Sequence, residues 1–125
     1  MRFETSFLPE HNVLTVRAQG AGDPDAVQQM VRAIRSAPEF RPGMDVLIDA
    51  FSTDYLPSAQ EATTFPEIFQ AELPGTRLAV IVRAGGAQYS IACLVEALAS
   101  RRDVQFAAFS DREEAMLWLT GQPST

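Results

Sequence analysis

The stretch Pro42-Gly43-Met44-Asp45-Val46-Leu47-Ile48-Asp49-Ala50 decides how this chain reads. A Pro-Gly turn signal opens it, and a short apolar run follows that ends in Asp49. A strand with one wet face alternates apolar and polar residues, whereas a strand covered on both faces does not. Met44 to Ala50 is therefore expected to be a buried central strand. Arg77 to Val82 reads in the same way, and Val104 to Phe109 gives a last strand. Buried strands separated by helix-length stretches imply parallel pairing through right-handed crossovers.

Upstream, Phe3 to Leu8 and Val13 to Gln19 flank the turn residues Pro9-Glu10-His11-Asn12, the pattern of an antiparallel hairpin. Gly20-Ala21-Gly22 ends the second strand. Asp23-Pro24 then predicts a helix start, with Asp as N-cap and Pro at the first helical position. Val27, Met30, Val31 and Ile34 give that helix one apolar face, and it should stop before Pro38. Downstream, Phe51 to Pro57 reads as a loop. Ser58 with Glu61 three residues on forms a capping box, so a second helix should begin at Ala59. Pro66 either kinks that helix or divides it into two pieces, and Leu73-Pro74-Gly75 closes it. Gly85-Gly86 leads to a third helix carrying Ile91, Leu94, Val95 and Leu98. Ser110 and Glu113 predict a second capping box, ahead of a final helix with Ala115, Trp118 and Leu119 inward. Gln122 to Thr125 is expected to fray.

The resulting order is ββαβαβαβα. It implies an α/β fold with a mixed, mostly parallel sheet of about five strands and an antiparallel N-terminal hairpin. No internal repeat or linker divides residues 1–125, so one domain is expected.

Composition narrows the function classes. The chain has 125 residues, 46% hydrophobic and 21% charged, which is ordinary for a globular protein. The formal charge of −6 lacks the basic face that phosphate neutralisation needs, so no nucleic-acid partner is expected. Every basic residue is Arg, a composition we attribute to a GC-rich bacterial genome. No apolar run approaches the roughly 18–20 residues of a membrane span. Met1-Arg2-Phe3-Glu4-Thr5 lacks the apolar stretch of a signal peptide, which makes a cytoplasmic location the expectation. The single cysteine, Cys93, has no internal disulfide partner and is expected to be a small buried thiol.

Three stretches together resemble the SpoIIAA-like family of bacterial proteins, which is related in fold to STAS domains and grouped with lipid-carrier domains. Pro42 to Asp49 is similar to the family's central strand with its terminal aspartate. Leu78 to Val82, leading to Gln88-Tyr89-Ser90-Ile91-Ala92, is similar to the following strand and helix start. Val104-Gln105-Phe106, Phe109-Ser110-Asp111 and Glu114 to Leu119 look like the closing strand and last helix. What the resemblance implies is mainly the fold, together with action by protein–protein switching in the better understood STAS relatives. In anti-sigma-factor antagonists the strand–loop–helix junction carries a phosphorylated serine, and Ser58 falls at the matching position. The surrounding Asp-Ser-Ser-Gly pattern is absent, with Pro57 before Ser58 and Ala59 after it.

From the residues themselves, Ser58 either caps its helix or carries a phosphate favoured by the helix dipole. Asp49 and Asp54 stand near the carboxyl end of a central strand, where open α/β sheets place their sites. Their commoner use is binding loop N–H groups. Arg83-Ala84-Gly85-Gly86 leads to a helix start where backbone N–H groups can approach an anion, although the P-loop ending is missing. Tyr89 and Ser90 lie on the first turn of that helix. A crevice is expected between this turn and the loop from Asp49 to Ser58, formed by Asp49, Asp54, Ser58, Arg83, Gly86, Tyr89 and Ser90. Phe65, Ile68 and Phe69 form an apolar ridge around Pro66, as core or as a contact surface. His11, the only histidine, sits in the hairpin turn, and no nucleophile elbow or zinc motif appears. No cofactor or metal is expected.

The leading expectation is a non-enzymatic interaction or regulatory module, self-associating as a dimer or binding another protein. The alternative is a carrier or sensor of a small apolar, lipid-like ligand. That alternative requires an internal cavity of a few hundred Å³ lined by residues such as Phe65 and Phe69.

Overall fold

The structure, a computed structural model, describes residues 1–121. The tail expected to fray, Gln122 to Thr125, lies outside them. The elements follow the order β1 (Arg2–Leu8), β2 (Val13–Gly20), α1 (Ala26–Ser36), β3 (Asp45–Thr53), α2 (Ala59–Ala62), α3 (Phe65–Glu72), β4 (Arg77–Ile81), α4 (Ala87–Ser100), β5 (Gln105–Phe109) and α5 (Arg112–Thr120). The strands form one sheet in the order β1-β2-β3-β4-β5. The β1–β2 pair is antiparallel and every other pair is parallel.

Side chains alternate across the sheet, and both faces of its centre are dry. Leu14, Val16, Val46, Ile48, Leu78, Val80 and Phe106 pack on one face against α1, α3 and α4. Val13, Leu47, Ala79 and Ile81 point the other way, onto Ala115, Met116 and Leu119 of α5. The unbroken run Val46-Leu47-Ile48 is thus the mark of a strand with helices on both sides.

The structure departs from the sequence reading at the start of α1, the end of β3, the burial of Cys93 and the cap of α5, and it takes the divided alternative at Pro66. Helix α1 begins at Ala26, two residues after Pro24, because Asp23 closes a turn. Its Oδ1 accepts from Asp25 N at 2.8 Å and its carbonyl from Ala26 N at 2.9 Å. Strand β3 runs on past Ala50 to Thr53, pairing Ser52 and Thr53 with Gln19 and Gly20. The register gains one residue on β3 between Asp49 and Ser52, a bulge that re-aims the strand end.

The Ser58–Glu61 capping box is present in full, at 3.0 Å in both directions, but the helix it starts lasts one turn. Thr63 and Thr64 hydroxyls donate back to the carbonyls of Gln60 and Glu61, and α3 begins afresh with Pro66 in its first turn. The helix is therefore divided, with Pro66 where its missing N–H leaves no orphan. Helix α4 buries Ala92, Val95 and Ala99, with Ile91, Leu94 and Leu98 half-buried, and this phase leaves Cys93 exposed. Finally, α5 is capped by Asp111, whose Oδ1 accepts from Glu113 N at 3.0 Å, and not by Ser110.

Candidate functional site

The strand order never reverses along the sheet. In open α/β sheets a crevice opens beyond the carboxyl ends of the strands where the order switches direction. This sheet has no such point. The space in this molecule lies instead beneath the helices, where α1, α3 and α4 stand over the sheet.

A cavity of about 120 Å³ occupies that space, partly open to solvent. Its floor is Ile48, Val80 and Phe106, and Val27, Met30, Phe65, Phe69, Ile91 and Val95 form its sides. Four alanines, Ala18, Ala26, Ala50 and Ala92, line it as well, and their short side chains leave the room that larger ones would fill. Phe69 stacks on Phe106 with ring centroids 5.6 Å apart, and Phe65 is tilted against Phe69 at 6.4 Å. Phe69 is core, while Phe65 and Ile68 are half-buried. The cavity is thus lined by Phe65 and Phe69, at a volume below a few hundred Å³.

Its lip is the segment leaving β3. Thr53 is buried, and its hydroxyl donates to Gly20 O at 2.9 Å while accepting from Tyr55 N at 3.1 Å. Gln88, on the first turn of α4, donates its amide to the carbonyls of Thr53 and Tyr55 at 3.0 and 2.8 Å. Asp54 Oδ1 accepts from Gly22 N at 3.0 Å. A side chain at Gly22 would bring a Cβ within 2.9 Å of Tyr55 Cα, so the β2–α1 turn lies directly against the lip.

Tyr55 lines the cavity, and its Oη is buried with no hydrogen-bond partner among the described residues. Burial pushes its pKa above the usual 10.0, and the nearby carboxylates of Glu61 and Asp23 push it further the same way. The other buried side-chain atom without a partner, Thr76 Oγ1, lies just before β4, away from the cavity.

The seven residues expected to share a crevice are distributed more widely. Asp54 and Ser58 stand on the lip segment, Asp54 holding Gly22 and Ser58 capping α2. Asp49 points to the opposite face of the sheet, into a polar groove with Glu4, Arg17 and Arg112, and its Oδ1 accepts from Phe51 N at 3.1 Å. Arg83 and Gly86 are exposed in the turn before α4, where Gly86 O accepts from Ser90 N at 3.2 Å. Tyr89 lies beside Cys93, whose charge and hydrogen bond raise the phenol pKa, with smaller contributions from burial, Glu96 and Glu114. The loop and the α4 turn do meet, but through Gln88. Among the described residues no group of three His, Cys, Asp or Glu side chains is arranged to hold a metal ion, and no helix is long and apolar enough to cross a membrane.

Sequence reasoning missed Gln88, Thr53 and Tyr55 as lip residues. The signal that points to the cavity is the set of alanines at positions that face the core.

No protein-family model matches the sequence, and no curated protein matches it. Among solved structures, the chain resembles the crystal structure of an uncharacterized protein of the DUF3478 family from Shewanella loihica PV-4, described as having a SpoIIAA-like fold. The likeness covers 94% of this chain and 92% of that one, at a TM-score of 0.61 and 20% identity. At that identity it is a likeness of fold, and the architecture of this chain is SpoIIAA-like.

Proposed function

We propose that the protein is a non-enzymatic binding module that takes a small, mostly apolar ligand into the cavity beneath α1, α3 and α4. The observation that carries this reading is the cavity itself, an almost wholly apolar space bordered by core residues of the sheet, α1, α3 and α4. At ~24 cal/mol per Å³ a closed void of this size would cost up to about 3 kcal/mol, and a partly open one costs less. A ligand that fills it returns that loss. The polar groups of the lip support a binding role over chemistry, because Asp54 and Ser58 are each engaged in backbone hydrogen bonds, while Asp49 lies on the opposite face of the sheet.

Native mass spectrometry of the purified protein, joined with xenon NMR, tests the reading. A retained small molecule is expected, and xenon should shift the methyl resonances of Val27, Val80 and Val95. A bare chain mass with no xenon response at those methyls overturns it.

A second reading, docking onto another copy of the chain or another protein, is favoured by the exposure of Phe51 (37%) and Leu56 (50%), which flank the lip. A dimer mass that depends on Leu56 and carries no small molecule supports that reading over the first.

A further inference from the structure

Three side chains bearing nitrogen or oxygen line the cavity, Thr53, Tyr55 and Gln88, and none of them offers its interior a free donor. The Thr53 hydroxyl donates to Gly20 O and accepts from Tyr55 N. The Gln88 amide nitrogen is held by the carbonyls of Thr53 and Tyr55, at the lip. Tyr55 Oη is fully buried, so it does not face the open volume. On the floor, the backbones of Ile48 and Val80 are paired within the sheet. No Asp, Glu, His or Arg side chain lines the space among the described residues.

A hydroxyl or carbonyl carried into such a space leaves its water partners behind and gains none in return. A carboxylate or ammonium group loses still more, with no counter-ion on the wall. Size sets the second limit. A cavity of about 150 Å³ accommodates benzene, and this one is about 120 Å³ with a partly open side, through which the rest of a longer molecule can leave.

Resting on the reading of this cavity as the binding site, we infer that the part of the ligand held inside is an unfunctionalised hydrocarbon group of about six carbon atoms, a ring or a chain end, and that every polar group of the ligand stays outside the lip. The site then selects by rejection: it discriminates against a molecule of the same shape that carries a hydroxyl into the interior.

The test is an NMR titration of the full chain with two matched pairs, benzene against phenol and cyclohexane against cyclohexanol, with xenon as the control for the cavity. Each hydrocarbon should bind about tenfold to a hundredfold more tightly than its alcohol, the discrimination an apolar pocket exerts against one added hydroxyl. Benzene should move the Val27, Val80 and Val95 methyl resonances and displace xenon from them. An alcohol that binds as tightly as its hydrocarbon overturns the inference and points to the Gln88 amide oxygen as its partner. Hydrocarbon binding that leaves xenon in place overturns it too, because the preference then belongs to another site. Xenon entry without binding of either hydrocarbon overturns the assigned size. Failure of xenon as well as every probe removes the cavity reading on which the inference stands.

Discussion

Arg77 grips Asp45 with two prongs across neighbouring parallel strands, Nε to Oδ1 at 3.1 Å and a terminal nitrogen to Oδ2 at 3.0 Å. The same guanidinium donates to the carbonyls of Trp118 and Leu119 at the end of α5 and lies 5.7 Å from the centre of the Trp118 ring. One side chain thus joins β3 and β4 to the carbonyl end of α5, where the helix dipole favours a cation.

Replacing Arg77 should therefore cost more than a surface ion pair would. Arg77→Ala is expected to lower the unfolding free energy by about 2–3 kcal/mol. The coupling to Asp45 alone should be about 1 kcal/mol, since both side chains are partly exposed. Urea denaturation of Arg77→Ala, Asp45→Ala and the double variant measures both. A cost for Arg77→Ala no larger than the Asp45 coupling would show that the α5 carbonyls contribute nothing.

The two N-caps give a paired prediction. Ser58→Ala removes the hydroxyl acceptor of the capping box and should cost about 1 kcal/mol. Asp111→Ala should cost about as much, while Ser110→Ala stays within about 0.5 kcal/mol of wild type. Equilibrium unfolding of the three variants tests this, and a larger loss at Ser110 than at Asp111 contradicts the assigned cap.

Gly22→Ala presses a methyl group onto the Tyr55 backbone, which has no flexible end to yield. We expect a loss of about 2 kcal/mol and weaker xenon entry, because the lip must move to make room. Asp54→Ala should act in the same direction more mildly, by freeing the Gly22 N–H. Thermal unfolding and the xenon titration read both effects. Unchanged xenon entry in Gly22→Ala would separate the lip from the cavity.

Tyr55 also gives the alkaline limb of stability a sign. Its folded pKa lies above 10.0, so above that pH the unfolded chain releases the proton more readily than the folded one. The contribution is complete below pH 10.0 and is lost as pH rises through the folded value. Wild type should lose stability faster than Tyr55→Phe between neutral pH and pH 11 or so, when the two are compared by urea denaturation. Parallel profiles would argue that the phenol is not buried.

Filling the void separates packing from function. Ala92→Leu, on the cavity wall, should raise or hold the melting temperature while abolishing xenon entry. Loss of stability with xenon entry retained would place residue 92 away from the open volume.

What the sequence revealed follows the range of the forces involved. The Ser58–Glu61 box and the hairpin turn were legible because each is settled within a few residues. Asp23 and Ser110 misled because Asp25 and Asp111 stood close by, and the choice between neighbouring caps depends on how the incoming chain turns. Cys93 misled because α4 is apolar around much of its circumference, so its inward face is chosen by what it packs against. The cavity is a property of the distance between three helices and a sheet, and only its alanines are written in the chain.

The sequential strand order bears on how the molecule assembles. After the hairpin, each strand finds its partner roughly thirty residues away, and no strand must wait for one made later. During synthesis, β1 and β2 can close first as a template, and every later strand can then add to an edge already in place. On that route the ceiling of the cavity is finished only when α4 docks, so this hollow is among the last parts of the nascent chain to exist.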